Sequence, residues 1–185
     1  MLPVKDVRPI DYLRDVIRYN LNLQEDRVNI YNSKFSIPND QYLFIGIEYK
    51  FSKVYSSKSE TIDVTGTFSE KQGLNTQEHY AVIIFSRNTD ALLRKEEVVQ
   101  ALGSVYARQQ GDTYGFSIAR IGQIQDLSGL EGAAILYRFE INVVMLCRYE
   151  KIIPISWYGT FPLQVTEANG TTIITPIITE PAPLP

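Results

Sequence analysis

Cysteine, histidine and tryptophan each occur once in these 185 residues, as Cys147, His79 and Trp157. A lone cysteine excludes an internal disulfide framework. A lone histidine with no cysteine pair leaves a transition-metal site without ligands. His79 falls inside a strand-like run and Cys147 alternates with apolar residues, so both read as structural. The chain also lacks any apolar run near the ~20 residues that span a bilayer. Met1-Leu2-Pro3 leads straight into charged residues, so no secretory signal and a reducing compartment are expected. The glycines at 111, 115, 122, 129 and 132 fit neither phosphate-loop nor dinucleotide-binding spacing. Asp126, Ser128 and Glu131 lack the acidic ladder of a calcium loop, and Asn169-Gly-Thr reads as a turn. With 18 basic and 21 acidic residues the net charge is −3, which is not the footprint of a protein that grips phosphates with its whole surface. No internal repeat is present. Neither metal, cofactor nor disulfide is expected to be needed for folding.

What the chain does have is 44% hydrophobic residues, with 12 tyrosines and 8 phenylalanines, in a length that suits one domain. The strongest stretch is 134–149. Ile135, Tyr137, Phe139, Ile141, Val143, Met145, Cys147 and Tyr149 would share one face of a strand, while Leu136, Arg138, Glu140, Asn142, Val144, Leu146 and Arg148 share the other. This is the keystone of the expected sheet. At about 3.3 Å per residue it would reach roughly 50 Å, well beyond an ordinary strand. It must therefore bend, or run past its own domain towards a neighbour.

Elsewhere the punctuation is local. Pro9 opens a helix over about 9–20, with Ile10, Leu13, Val16, Ile17 and Leu21 at helical spacing. A short strand over 27–31 is followed by a strand from Gln41, where Gly46 marks a bulge or a close backbone approach. Ser56 to Glu60 reads as a turn, and Gly66 to Thr76, rich in Gly, Ser, Gln and Asn, as a mobile loop. Gln77 to Phe85 is a strand apolar on both faces near its end, as befits a central position. Asn88 or Asp90 caps a second helix with a stripe of Leu92, Val99, Leu102 and Tyr106, widened by Val98 and Val105, and Gly111 to Gly115 breaks the chain. Phe116 to Ile124 is a strand, joined to the keystone through Asp126-Leu127-Ser128.

The expected fold class is α+β: a mainly antiparallel, mixed sheet with two main helices on one face. Residues 1–160 form the domain. Residues 161–185 form a hairpin at Asn169-Gly170 and an extended arm. From Lys151 onward only Lys151, Glu167 and Glu180 are charged, and prolines 176, 181, 183 and 185 prevent a central strand.

No chemistry assembles from these residues. Arg138, Glu140 and Arg148 on the non-core face of the keystone read as a solvated ladder or a contact between subunits. A second acid for Glu140 would have to come from Glu78 on a neighbouring strand.

The run Ile121-Gly-Gln-Ile-Gln-Asp-Leu-Ser-Gly-Leu-Glu-Gly-Ala-Ala-Ile-Leu-Tyr-Arg-Phe-Glu-Ile-Asn-Val143 resembles the neck or tail-terminator proteins of long-tailed bacteriophages. It is similar in its strand, its Asp-Leu-Ser turn and its following strand of alternating aromatics and aliphatics. The resemblance covers about residues 8–160. It implies a structural virion protein without enzymatic activity, in a ring of six copies that caps the tail tube and joins it to the head connector. The implied partners are the tail tube protein, the sheath where one exists, and the connector, with DNA passing through unbound and no membrane contact. Candidate interface residues are Arg138, Glu140, Arg148, Glu70, Lys71, Ile177 and Ile178. Two other classes stay open here: a small α+β enzyme, and a module that docks an extended peptide on a sheet edge.

Overall fold

The computed structural model describes residues 7–31, 42–64, 67–131 and 134–154. It is an α+β fold. Helix α1 (Pro9–Leu21) leads through a 3₁₀ turn (Glu25–Arg27) to β1 (Val28–Ile30). Strands β2 (Phe44–Val64) and β3 (Thr67–Ser86) then form a long hairpin. Helices α2 (Asp90–Leu102) and α3 (Val105–Tyr114) follow, then β4 (Phe116–Asp126), β5 (Gly129–Glu131) and β6 (Ala134–Pro154). The strand order is β1-β2-β3-β6-β4, with β5 paired to β6. Only β1 and β2 run parallel; the other pairs are antiparallel. The sheet is thus mixed and mainly antiparallel, and β3 and β6 lie side by side at its middle.

All three helices pack on one face. The alternation of β6 holds as expected: Phe139, Ile141, Val143, Met145 and Cys147 are buried beneath the helices, and Asn142 and Arg148 are exposed on the other side. Tyr80, Val82 and Ile84 of β3 and Ile45 and Ile47 of β2 complete the core with Leu13, Val16 and Ile17 of α1. Pro9 lies in the first turn of α1 and Asn22 ends it in the left-handed region (φ 50°). The Tyr12 hydroxyl, buried against α3, donates to the Ala107 carbonyl at 2.8 Å. On the opposite face Phe44, Ala81, Ile83 and Phe85 form a smaller buried cluster. Gly46 allows a close approach there, since a Cβ would stand 2.3 Å from the Tyr31 ring.

Three expectations are corrected. The second helix is two helices, because the chain breaks at Gly103-Ser104, where the Ser104 hydroxyl accepts from the Ala107 amide at 3.1 Å. Gly111 lies inside α3, and Gly115, at φ 65°, ends it. The buried stripe of α2 is Ala91, Val98, Ala101 and Leu102, whereas Leu92 is 38% exposed. Asn88 does serve the helix start, its side-chain oxygen accepting from the Asp90 amide at 2.9 Å.

The third correction decides the shape. Ser56 to Glu60 is no turn, and residues 67–76 are no loop: both lie in the β2–β3 hairpin, paired from Ser56↔Asn75 to Val64↔Thr67. Polar Ser, Gln, Asn and Thr satisfy a ladder as well as apolar residues do when both sheet faces meet water, and composition alone misled. The expected hairpin and arm over 161–185 lie outside the described residues.

Candidate assembly surface

Strands of 20 and 21 residues give β2, β3 and β6 a length of roughly 65–70 Å at about 3.3–3.4 Å per residue. The helices cover only part of this. Beyond them the three strands continue as an arm, pairing β3 with β6 without a break from Ser86↔Tyr137 to Ser69↔Pro154. Along these three strands the bulges fall on β2, between Tyr49 and Phe51 and between Val54 and Ser56, where that strand leaves the core.

At the root of the arm sits a buried carboxylate. Glu78 points to the helix side and accepts from the hydroxyls of Tyr149 (2.6 Å), Thr76 (3.2 Å) and Tyr80. Three neutral donors replace the water that burial removes, and no ion pair to Glu78 is present among the described residues. Burial, with the hydrogen bond to Glu78 next, holds the Tyr80 and Tyr149 phenols far above their ordinary range. The cluster staples β3 to β6. The sequence did carry a signal for it, two polar residues at 76 and 78 on a stripe that continues apolar at 80, 82 and 84.

Glu78 does not join Glu140. Glu140 pairs with Ile83 and faces away from the helices, so the two carboxylates lie on opposite faces of the sheet. His79 stacks on Phe51, ring centroids 4.1 Å apart, and Cys147 is buried opposite Phe116. Among the described residues no group of three His, Cys, Asp or Glu gathers, and no helix is long and apolar enough to cross a membrane.

Arg148 and Lys71, named as interface candidates, do meet. Glu150 accepts from Arg148 at 2.5 Å and from Lys71 at 3.3 Å, on the arm face away from the helices, and Lys58 pairs with Glu60 at 2.7 Å on that face. Glu70 is on the other arm face, where it accepts from Ser59. Arg138 is elsewhere, half-buried beside Phe85, and its Nε is buried without a hydrogen-bond partner among the described residues. Its backbone is held by the Asp-Leu-Ser turn: the Leu127 amide donates to its carbonyl at 2.8 Å, and its amide donates to the Ser128 hydroxyl at 3.1 Å. Asp126 accepts from the Ser128 amide at 2.9 Å, which is turn chemistry and not a calcium ligand set. Ile177 and Ile178 lie outside the described residues.

Two further features escaped sequence reasoning. A groove of about 750 Å³ opens between the start of α1 and the helix-side face of the arm, lined among others by Val7, Pro9, Leu74, Tyr149 and Lys151. At the far end of β6 the β5–β6 hairpin projects as a finger, with Leu130 82% exposed and paired with Ile135, itself 49% exposed. No protein-family model matches this chain, and no curated protein matches it.

Proposed function

We propose that this protein is a structural subunit of a ring in the neck of a long-tailed bacteriophage, a tail terminator that caps the tail tube and joins it to the head connector. The observation that carries the reading is the arm. A monomer gains nothing in its own core from three strands carried past their helix layer, with residues 49–59 of β2 exposed throughout. Such an extension is the kind of part that reaches a neighbouring subunit or a second ring. The role proposed is mechanical and not enzymatic, as the resemblance implies, and the three hydroxyls that donate to Glu78 fit a structural tie between β3 and β6. The six-copy ring, its virion location, and its tube, sheath and connector partners follow from the resemblance of residues 121–143. A net charge of −3 suits a conduit whose wall does not hold passing DNA.

The long β2 edge favours one competing reading, a module that takes an extended peptide as an extra strand. Beyond Ile47 this edge has no strand neighbour among the described residues. Its root, however, carries two bulges together with Lys50 and Lys53, the devices that discourage edge pairing. The mass of the full chain in solution, alone and with tail tube protein, tests the ring. A discrete oligomer, or a stable complex with the tube, is expected. A monomer under both conditions would sink the proposal.

A further inference from the structure

From the two ends of β6 we infer that the ring is closed by a head-to-tail contact, in which the finger of one copy enters the groove beside the arm of the next. This rests on the ring reading and adds the surface and the occupant. The finger is apolar where it is most exposed. Leu127, Leu130 and Ile135 are 45%, 82% and 49% exposed, Leu130 and Ile135 are a cross-strand pair, and a side chain at Gly129 would meet nothing within 4 Å. Leu130 and Ile135 stand side by side as an exposed apolar pair at the tip, with Leu127 at its base.

The groove has the matching character. Val7, Pro9, Leu74 and Tyr149 give it apolar walls, and its volume of about 750 Å³ is ample for several side chains. Charge also fits. Residues 121–137 contain two carboxylates, Asp126 and Glu131, and no lysine or arginine. Lys58 and Glu150 turn their side chains to the opposite face of the arm, so the charged side chains on the groove side are Arg8 and Lys151. Arg8 is engaged with Asp11, which leaves Lys151 as the exposed cation with no ion pair among the described residues.

The occupant has to be a second copy. Ile135 and Tyr149 lie on the same face of the same strand, fourteen residues apart, a separation of about 46 Å along β6. No copy bends its own finger back into its own groove over that distance. Because finger and groove are different surfaces, each copy offers one and receives the other, the heterologous pattern that gives a ring when the rotation between copies closes.

Two variants of the full chain test this. Leu130→Asp places a carboxylate in the apolar contact while disturbing, within the protomer, only an exposed cross-strand pair with Ile135. An unchanged melting temperature and self-association weaker by about 10- to 100-fold are expected. Ser57 also lines the groove and is exposed, so the double variant Leu130→Cys/Ser57→Cys, oxidised, should give a ladder of disulfide-linked oligomers ending at the ring, with neither single variant doing so. A wild-type chain that is monomeric at every concentration, alone and with tube protein, removes the ring reading and this contact together. A wild-type oligomer that survives Leu130→Asp, or shows no ladder, overturns the contact and leaves the ring standing. A ladder that stops at the dimer refutes the head-to-tail geometry.

Discussion

Gly111 offers the sharpest test of how the helices sit on the sheet. In an open helix, replacing glycine by alanine stabilises by about 1 kcal/mol. At position 111 a Cβ would stand 2.6 Å from the Phe116 carbonyl oxygen and 3.3 Å from the Tyr12 hydroxyl. The first neighbour is backbone and has little room to give. Restoring an ordinary contact means moving α3 off the start of β4 by several tenths of an ångström. That movement disturbs the edge-on contact of Tyr12 with Phe116 (centroids 5.8 Å) and the Tyr12–Ala107 hydrogen bond. Overpacking of this kind costs about 1–3 kcal/mol, and a weakened buried hydrogen bond about 1 kcal/mol more. After the propensity gain, Gly111→Ala should be destabilising by about 1–3 kcal/mol, a fall in Tm of roughly 3–10 °C.

Two neighbouring glycines serve as controls in the same urea and thermal melts followed by circular dichroism. At Gly103, φ is −88° and a Cβ meets nothing closer than 3.7 Å, so Gly103→Ala should be neutral or stabilising by up to about 1 kcal/mol. Gly115 ends α3 at φ 65°, so Gly115→Ala should cost about 1–2 kcal/mol from backbone strain alone. If Gly111→Ala is as stable as wild type, or shares the sign of Gly103→Ala, α3 does not lie against β4 as described.

Phe139→Ala removes a ring 2% exposed beneath Lys95 and should cost about 3–5 kcal/mol, while Arg148→Ala on the solvated face stays within about 0.5 kcal/mol; equal costs in denaturant melts would refute the face assignment. Alkaline pH should destabilise the fold, because Tyr12 is pushed up to about 12 by burial and then by Asp112, and Tyr80 and Tyr149 are pushed up as well. A folded-state pKa raised above the unfolded value of about 10 stabilises fully below pH 10, and that contribution is lost as pH rises through the folded values. Absorbance at 295 nm should show these phenols ionising only with unfolding; a single titration of all tyrosines near pH 10, with no fall in Tm, is the contrary result.

The parts of this fold that were legible in the sequence are those where burial enforces a period. β6 buries every second residue from Phe139 to Cys147, and α1 buries Ile10, Leu13, Val16, Ile17 and Leu21, so each printed its period in the chain. Residues 134–149 were also visibly too long for an ordinary strand, and β6 does pass beyond the helices to Pro154. The arm was not legible in β2 and β3, because a strand wet on both faces has no alternation to show. The α2–α3 break was hidden for a related reason. Val98, Leu102 and Tyr106 keep helical spacing across Gly103-Ser104, and only the Ser104 cap reveals the second start. Of the interface candidates, Arg148 and Lys71 share Glu150 across strands that sequence reading had not paired. Glu140 and Glu78 were joined in thought only because the register, and so the face, was unknown.

A sheet of three strands without a helix layer is marginal alone. The arm escapes this because each of its strands is continuous with a strand of the core. β3 and β6 are registered beneath the helices, and that register holds without a bulge for eighteen residue pairs, from 86↔137 to 69↔154. Where the helix cover ends, the hydroxyl of Tyr149 on β6 reaches Glu78 on β3, so a buried contact at the edge of the core is also a cross-strand tie of the arm. Outward from there the ties turn ionic and exposed, through Lys71, Glu150 and Arg148, each worth little singly in water. The irregularities of the arm lie on β2, whose outer edge has no strand neighbour among the described residues, while β3 and β6 keep one unbroken register. An arm built this way keeps its direction relative to the core, which is what the ring proposed above would require of a part that reaches the next subunit.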